Sequence, residues 1–264
     1  MSNFQVYSLA EFENWLSVQK VSRLIKLVQN HHTWKPNYHS FKQADAKALL
    51  KSMEMAHLER GFNAIAQHFT TFPDGTIGSG RSLDTIPAGI KGANRNGICI
   101  EHVGNFDIGG DKMNDIHKET IVRINALLCA KFGLIPSEES IVYHHWYDLN
   151  TGDRTNGSGT TKTCPGTNFF GGNTVQNFRT NFLPLVVKET KKVSTGNIPK
   201  RFLFTGRVNA QSLNVRNAGS TKAPILAKLS KGTEIRVFSE KSGWYSIDSD
   251  FSRWVKKEFV NVPA

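Results

Sequence analysis

Gly97-Ile98-Cys99-Ile100-Glu101-His102-Val103 is the stretch on which the fold turns. Its residues alternate as they do along a strand, whose successive side chains point to opposite faces. Ile98 and Ile100 then share one face, and Cys99 and Glu101 the other. An inward carboxyl at Glu101 is costly unless it is paired or used. Downstream, Lys112 to Phe132 carries the strongest helical pattern, stopped by Gly133, and Ile141 to Tyr143 reads as a strand that delivers His144. Upstream, Leu24 to Gln29 reads as a strand ending at His31, and Ala44 to Arg60 as a helix rich in Ala, Leu, Lys, Met and Glu. Phe62 to Phe72 and Thr76-Ile77 read as two strands joined by the turn Pro73-Asp74-Gly75. Ser8-Leu9-Ala10-Glu11 has capping-box spacing ahead of a first helix through Phe12, Trp15 and Leu16. Strands alternating with helices predict an α/β layer.

After Lys188 to Lys200, which reads as a linker, the pattern changes. Leu213-Asn214-Val215-Arg216, Ile235-Arg236-Val237, Trp244-Tyr245-Ser246-Ile247 and Arg253-Trp254-Val255 are short strands between Gly-bearing turns, the signature of a small all-β barrel. The expected domains are therefore 1–190, a linker at 191–202, and 203–264. A chain of 264 residues has room for one large domain and a small one.

Hydrophobic residues make up 39% of the chain and charged residues 21%, which suits a globular protein with a real core. The apolar run Ile121 to Phe132 is broken by Arg123, Asn125 and Lys131, so no segment is expected to insert in a membrane. Met1-Ser2-Asn3-Phe4 starts no signal peptide, so synthesis in a cytoplasm, with exit by another route, is the expectation. The net charge is +11, and residues 200–264 hold 12 Lys/Arg against 5 Asp/Glu. A basic module of this kind seeks a polyanion: nucleic acid, anionic lipid or the anionic polymers of a bacterial wall.

The candidate chemistry lies in three separated stretches, Asn30-His31-His32-Thr33, Tyr143-His144-His145-Trp146 and Lys162-Thr163-Cys164-Pro165-Gly166. Two imidazoles and a thiolate can close three corners of a zinc tetrahedron while water holds the fourth, the arrangement of a catalytic site. Taken alone, each histidine reads as a satisfied structural residue; the combination changes that. Strand alternation lets only one imidazole of each pair reach a metal, without saying which. Cys164 sits in a polar turn beside Lys162, where a thiolate would be stabilised; Cys99 and Cys129 read as buried small hydrophobes. Glu101 reads as a general base or as a buried ion-pair partner of Arg95. Lys162 reads as an oxyanion stabiliser or a solvated loop lysine. His39, His57, His68, His102 and His117 read as surface or structural residues. In the barrel, Trp244, Tyr245 and Trp254 are mostly core, with Tyr245 the first choice for touching a ligand.

In order along the chain, His31-His32-Thr33, Ile98-Cys99-Ile100-Glu101-His102-Val103-Gly104, His144-His145 and Lys162-Thr163-Cys164-Pro165-Gly166 resemble the zinc N-acetylmuramoyl-L-alanine amidases. That family includes phage lytic amidases and catalytic peptidoglycan recognition proteins. Gln67-His68-Phe69, Pro73-Asp74-Gly75-Thr76 and Gly80-Arg81 match its hairpin, and the similarity covers roughly residues 20–180. The resemblance implies a central mixed β-sheet flanked by helices, a Zn2+ held by His31, His144 and Cys164, Glu101 as catalytic base, and Lys162 at the oxyanion. The sequence departs from the family at Gln67, where phage members carry Tyr, at Gly89, in place of a His, and in a longer loop over 149–163. Residues 203–264 resemble a bacterial SH3-like wall-binding domain, with Tyr245, Trp244 and Trp254 as its candidate wall contacts. Together these imply a lytic, endolysin-type hydrolase with peptidoglycan as partner, released to the wall from a host cytoplasm. The alternatives are a non-catalytic peptidoglycan-binding protein or a host autolysin of the same fold. A nucleic-acid-binding role would leave the His/Cys set idle.

Overall fold

The computed structural model describes residues 2–195, 203–248 and 252–262. The larger unit is built on a six-stranded sheet. In chain order its elements are β1 (Val6–Tyr7), α1 (Leu9–Val18), β2 (Leu27–His32), α2 (Tyr38–Gln43), α3 (Ala46–Glu59), β3 (Phe69–Thr71), β4 (Ile77–Ser79), β5 (Gly97–His102), α4 (Asp115–Phe132) and β6 (Ile141–Tyr143). The strand order is β1-β4-β3-β5-β2-β6. β3, β5, β2 and β6 run parallel, while β4 and β1 are antiparallel additions, so the sheet is mixed, as the resemblance implies.

Register decides which residues share a face. Gln29 pairs with Cys99 and His31 with Glu101 on one face; Asn30 pairs with Ile100 and His32 with His102 on the other. α3, which joins β2 to β3, packs Leu49, Leu50 and Met53 with Phe72 and Val103 on the His31 face. α4, which joins β5 to β6, covers the Asn30 face, where Asn125 exchanges hydrogen bonds with Asn30 at 2.9 and 3.0 Å. Helices on opposite faces open a crevice at the carboxyl ends of the parallel strands, the usual ligand site of open α/β sheets. β2 is buried on both sides, as parallel strands are, so its polar residues must find partners or uses.

The Ser8/Glu11 capping box forms at α1. The strand expected over Phe62 to Phe72 shrinks to β3, because Phe62 to His68 is an irregular crossing whose carbonyls at Ile65 and Gln67 accept from the Arg81 side chain and backbone. After β6, a short helix α5 (Val175–Asn177) passes through one π-helical turn, Phe178–Phe182, into α6 (Leu183–Thr195). Residues 191–195 are therefore helical, a correction to the expected linker. The Lys side chains there are the solvated face of an amphipathic helix whose Val186, Thr190 and Val193 are buried. The rest of that linker lies outside the described residues.

Contacts divide the chain into two units, Met1–Leu127 with Pro136–Glu189, and Leu128–Ile135 with Thr190–Ala264. The second contains the all-β part, as expected. A three-stranded sheet orders β10 (Glu234–Val237), β7 (Phe204–Val208) and β14 (Val260–Asn261). A five-stranded sheet orders β11 (Ser239–Lys241), β12 (Trp244–Ser246), β13 (Trp254–Lys256), β8 (Ser212–Arg216) and β9 (Ile225–Ser230). Its core comprises Val208, Leu213, Val215, Ile235, Val237, Tyr245, Val255 and Val260. Trp244, Tyr245 and Trp254 are buried to 6, 2 and 6% exposure. This agrees with their reading as mostly core; Tyr245, the first choice for touching a ligand, is part of that core.

Candidate metal centre and cleft

β2 ends by aiming His31 into the crevice, while alternation turns His32 to the opposite face, where its Nδ1 accepts the Phe106 N–H at 3.1 Å. Directly after β6, the chain tightens into a 3-10 turn, His144–Trp146, so the second pair does not alternate as a strand would. His144 turns inward and His145 outward. The outward ring is nonetheless used: His145 Nδ1–H donates to the Lys162 carbonyl at 2.8 Å, and its backbone N–H donates to the Cys164 carbonyl at 2.7 Å. His145 thus ties the Lys162–Cys164 segment to the strand end that carries His144. Asp107 holds the same segment from the other side, accepting from Thr163 Oγ1 at 3.0 Å and the Thr167 N–H at 2.9 Å. Within the long 149–163 loop, the Asp148 carboxylate accepts from the N–H groups of Asn150, Thr151 and Thr160.

The result is a buried trio. His31 Nδ1 lies 3.1 Å from His144 Nδ1 and 3.5 Å from Cys164 Sγ, and the ligand atoms all fall within 4.8 Å of one another. The Glu101 carboxyl stands 3.9 Å from His31 Nδ1. The trio and Glu101 floor a cleft of about 530 Å³ that Lys162 also lines.

Zinc bonds of about 2.0 Å to nitrogen and 2.3 Å to sulfur put tetrahedral corners roughly 3.3–3.7 Å apart. The two spacings from His31 Nδ1, 3.1 and 3.5 Å, are close to such corners. His31 Nε2 and Glu101 Oε2 are buried without hydrogen-bond partners, although buried polar groups are normally satisfied. The electrostatics agree. Burial, then the neighbouring His144, holds His31 well below the ordinary imidazole range, and burial brings His144 down to about 4. Both imidazoles are neutral and able to ligate at physiological pH. Burial, reinforced by Glu101, pushes the Cys164 thiol well above its usual value despite Lys162. Lys162 does favour the thiolate, as expected, but burial outweighs it, so a bound cation is what would deprotonate the sulfur. Burial likewise pushes Glu101 up to about 8, with Lys162 pulling it down.

Gly89 lines the cleft where a Cβ would strike Gln29 Oε1, Cys99 Sγ and His31 Nε2, so no side chain fits there. Gln67 is fully buried and donates to Thr70 Oγ1 at 3.0 Å, away from the trio. Three histidines set aside in the sequence, His68, His102 and His117, are fully buried. Their signal would have been the register of β3, β5 and β2, which no local pattern carries.

Two imidazoles at the ends of β2 and β6, a thiol from the turn at Cys164 and the buried carboxyl of Glu101 form a donor set that could hold a metal ion. The chain belongs to the N-acetylmuramoyl-L-alanine amidase family, whose model matches residues 21–167, more than half of its length. A bacterial SH3 domain model matches residues 211–261. Among relatives, the putative N-acetylmuramoyl-L-alanine amidase YrvJ of Bacillus subtilis is 41% identical over 64 residues, 23% of this chain and 12% of that protein. The endolysin of Enterobacteria phage K11 is 24% identical over 105 residues, 40% of this chain and 70% of that protein. The chain thus spans only a small part of the first relative and about two thirds of the second. Solved structures that resemble it include Drosophila PGRP-LB, at TM-score 0.46 and 21% identity over 58% of this chain and 81% of that one. The amidase LysC from Clostridium intestinale resembles it at TM-score 0.42 and 20% identity over 57% and 84%.

Proposed function

We propose that the protein is a zinc-dependent N-acetylmuramoyl-L-alanine amidase acting as a lytic, endolysin-type enzyme. The bond cleaved is the amide between the lactyl group of N-acetylmuramic acid and the L-alanine of the stem peptide. The observation that carries this reading is the convergence of His31, His144 and Cys164 beside Glu101, whose Oε2 is buried without a hydrogen-bond partner, in one open cleft.

A zinc ion held by the trio supplies the Lewis acidity that makes water nucleophilic near neutral pH and polarises the scissile carbonyl. Glu101 takes the proton from the attacking water and delivers it to the departing amine nitrogen. Its raised pKa suits a group that must both accept and return a proton, and a divalent charge nearby holds it ionised before attack. The Lys162 ammonium stabilises the oxyanion that forms on the carbonyl oxygen. The bacterial SH3 domain keeps the enzyme on the wall, raising its local concentration without entering the chemistry; its basic surface suits anionic wall polymers as well as peptidoglycan.

The test is metal content with product analysis. Purified protein should carry about one zinc per chain, clear bacterial walls in an EDTA-sensitive way, and release free N-terminal alanine without new reducing sugar ends. Reducing ends without new alanine amines would sink the proposal.

A further inference from the structure

Two of the buried polar atoms that lack a partner, Gln29 Oε1 and His31 Nε2, are neighbours. Gln29 stands two residues before His31 on β2, so both side chains leave the same face of the sheet. Gln29 is fully buried and His31 nearly so. A Cβ placed on Gly89 would lie 2.2 Å from the Gln29 oxygen and 3.1 Å from His31 Nε2. Both atoms therefore border one small space that Gly89 keeps open. Cys99 Sγ lies 2.8 Å from the same point, but a thiol is a weak donor beside an imidazole N–H. Parallel strands buried on both sides favour apolar residues. A glutamine here, with its oxygen unpaired, costs stability that folding alone does not recover.

The backbone decides which end of the Gln29 amide faces His31. The N–H groups of Gly89 and Ile90 both donate to Asn94 Oδ1, at 3.0 and 2.9 Å. That atom is therefore an acceptor, and the group that meets it from Gln29 at 3.3 Å must be the NH2. With Nε2 committed to Asn94, Gln29 turns its oxygen toward His31. A carbonyl oxygen only accepts, so it favours the ring form that carries its proton on Nε2. His31 Nδ1 faces the other way, 3.1 Å from His144 Nδ1 and 3.5 Å from Cys164 Sγ.

We infer that Gln29 is a positioning residue of the metal centre. Its side-chain oxygen accepts the His31 Nε2–H and holds the ring in the tautomer and orientation that present the Nδ1 lone pair to the cation. The inference rests on the zinc amidase reading and extends that site inward, from the Gly89 and Ile90 N–H groups through Asn94 and Gln29 to His31. Ligating imidazoles commonly give their second N–H to a carbonyl or carboxylate, which raises their basicity toward the metal.

The test is the zinc affinity of the full-length chain, measured by competition with a chelator, together with the 15N-histidine spectrum of the zinc-loaded protein. Gln29→Leu should bind zinc about 10- to 100-fold more weakly. Its metal-free melting temperature should hold, because an apolar side chain replaces an amide that was only half paired. A packing role alone would do the reverse, lowering the melting temperature while the folded protein kept its zinc affinity. The spectrum needs no variant. In the zinc-loaded wild type, His31 should carry its proton on Nε2 and exchange it slowly with solvent; in Gln29→Leu that slow signal should be lost. Unchanged zinc affinity in Gln29→Leu, or a wild-type His31 proton on Nδ1, would overturn the role of Gln29. Wild-type protein that binds zinc and releases alanine amines from walls would, in that event, leave the amidase reading standing. A wild-type chain that takes up no zinc would overturn both.

Discussion

His31 and His32 are adjacent in the chain, yet the two faces of the sheet give them opposite fates. Behind His32, a run of side chains joins one relay of hydrogen bonds, although Tyr143 Oη on the same face is buried without a partner. The Asn114 N–H donates to Tyr38 Oη, whose hydroxyl donates to His117 Nδ1 at 2.9 Å. His117 Nε2–H donates to Thr71 Oγ1 at 2.7 Å, and that hydroxyl donates to His102 Nδ1 at 2.8 Å. His102 Nε2–H then donates to Asn30 Oδ1 at 3.0 Å, where Asn125 also donates. The backbone donor at one end fixes the direction of each later bond and the tautomer of each ring. On the His31 face, by contrast, Gln29 Oε1, His31 Nε2 and Glu101 Oε2 have no partner. One face links its histidines and asparagines into a relay that ties the strands together; the other leaves Gln29, His31 and Glu101 atoms unpaired beside the cleft.

Breaking the unsatisfied face should produce the largest effects. His31→Ala or Cys164→Ser should abolish stoichiometric zinc, read by metal analysis, and lower amide hydrolysis by more than roughly a thousandfold, because water activation and carbonyl polarisation are lost together. Full zinc and activity in Cys164→Ser would remove Cys164 from the trio. Glu101→Gln should retain zinc while turnover drops by about 100- to 10,000-fold; unchanged turnover would leave proton transfer to another group. Lys162→Met should cost about 100- to 1,000-fold in kcat, the scale of a lost oxyanion donor.

The satisfied face should answer in stability instead. Burial holds His117 on this face, and His68 just before β3, at about 3 against an ordinary value of 6.5. As pH falls, the unfolded chain takes up these protons first, so stability is complete above about 6.5 and declines from there toward 3, by several kcal/mol in total. Melting curves should record a steep loss between pH 6.5 and 4, and a flat profile over that window would contradict the burial of neutral rings. The smallest expected change is Thr71→Val, which strands His102 Nδ1 and His117 Nε2 and should cost about 1–3 kcal/mol for each unsatisfied group. Turnover per folded molecule should stay within a factor of a few.

Much of the scaffold was legible in the sequence because its signals are local, whereas the choice of His31 and His144 within their pairs came only from the family resemblance. Alternation over 97–103, the long helix before Gly133, and the strand 141–143 each sit in one short window, and they land on β5, α4 and β6. The relay behind His32 was not legible. It depends on Thr71, His102 and Asn30 becoming neighbours across three parallel strands, and parallel pairing joins residues far apart in the chain. α6 was hidden for a different reason: Lys188, Lys191 and Lys192 resemble a linker until Val186, Thr190 and Val193 are placed on one buried stripe. The barrel strands were readable, and so was the burial of Trp244, Tyr245 and Trp254 that the aromatic pattern favoured.

The most direct measurement is an anomalous difference map collected at the zinc absorption edge from crystals of the full chain. One peak should appear about 2.0–2.3 Å from a ring nitrogen of His31, a ring nitrogen of His144 and Cys164 Sγ, with its remaining vertex facing the cleft. No peak between those side chains, or a fourth protein atom closing that vertex, would contradict the assignment of this face of the sheet to hydrolysis.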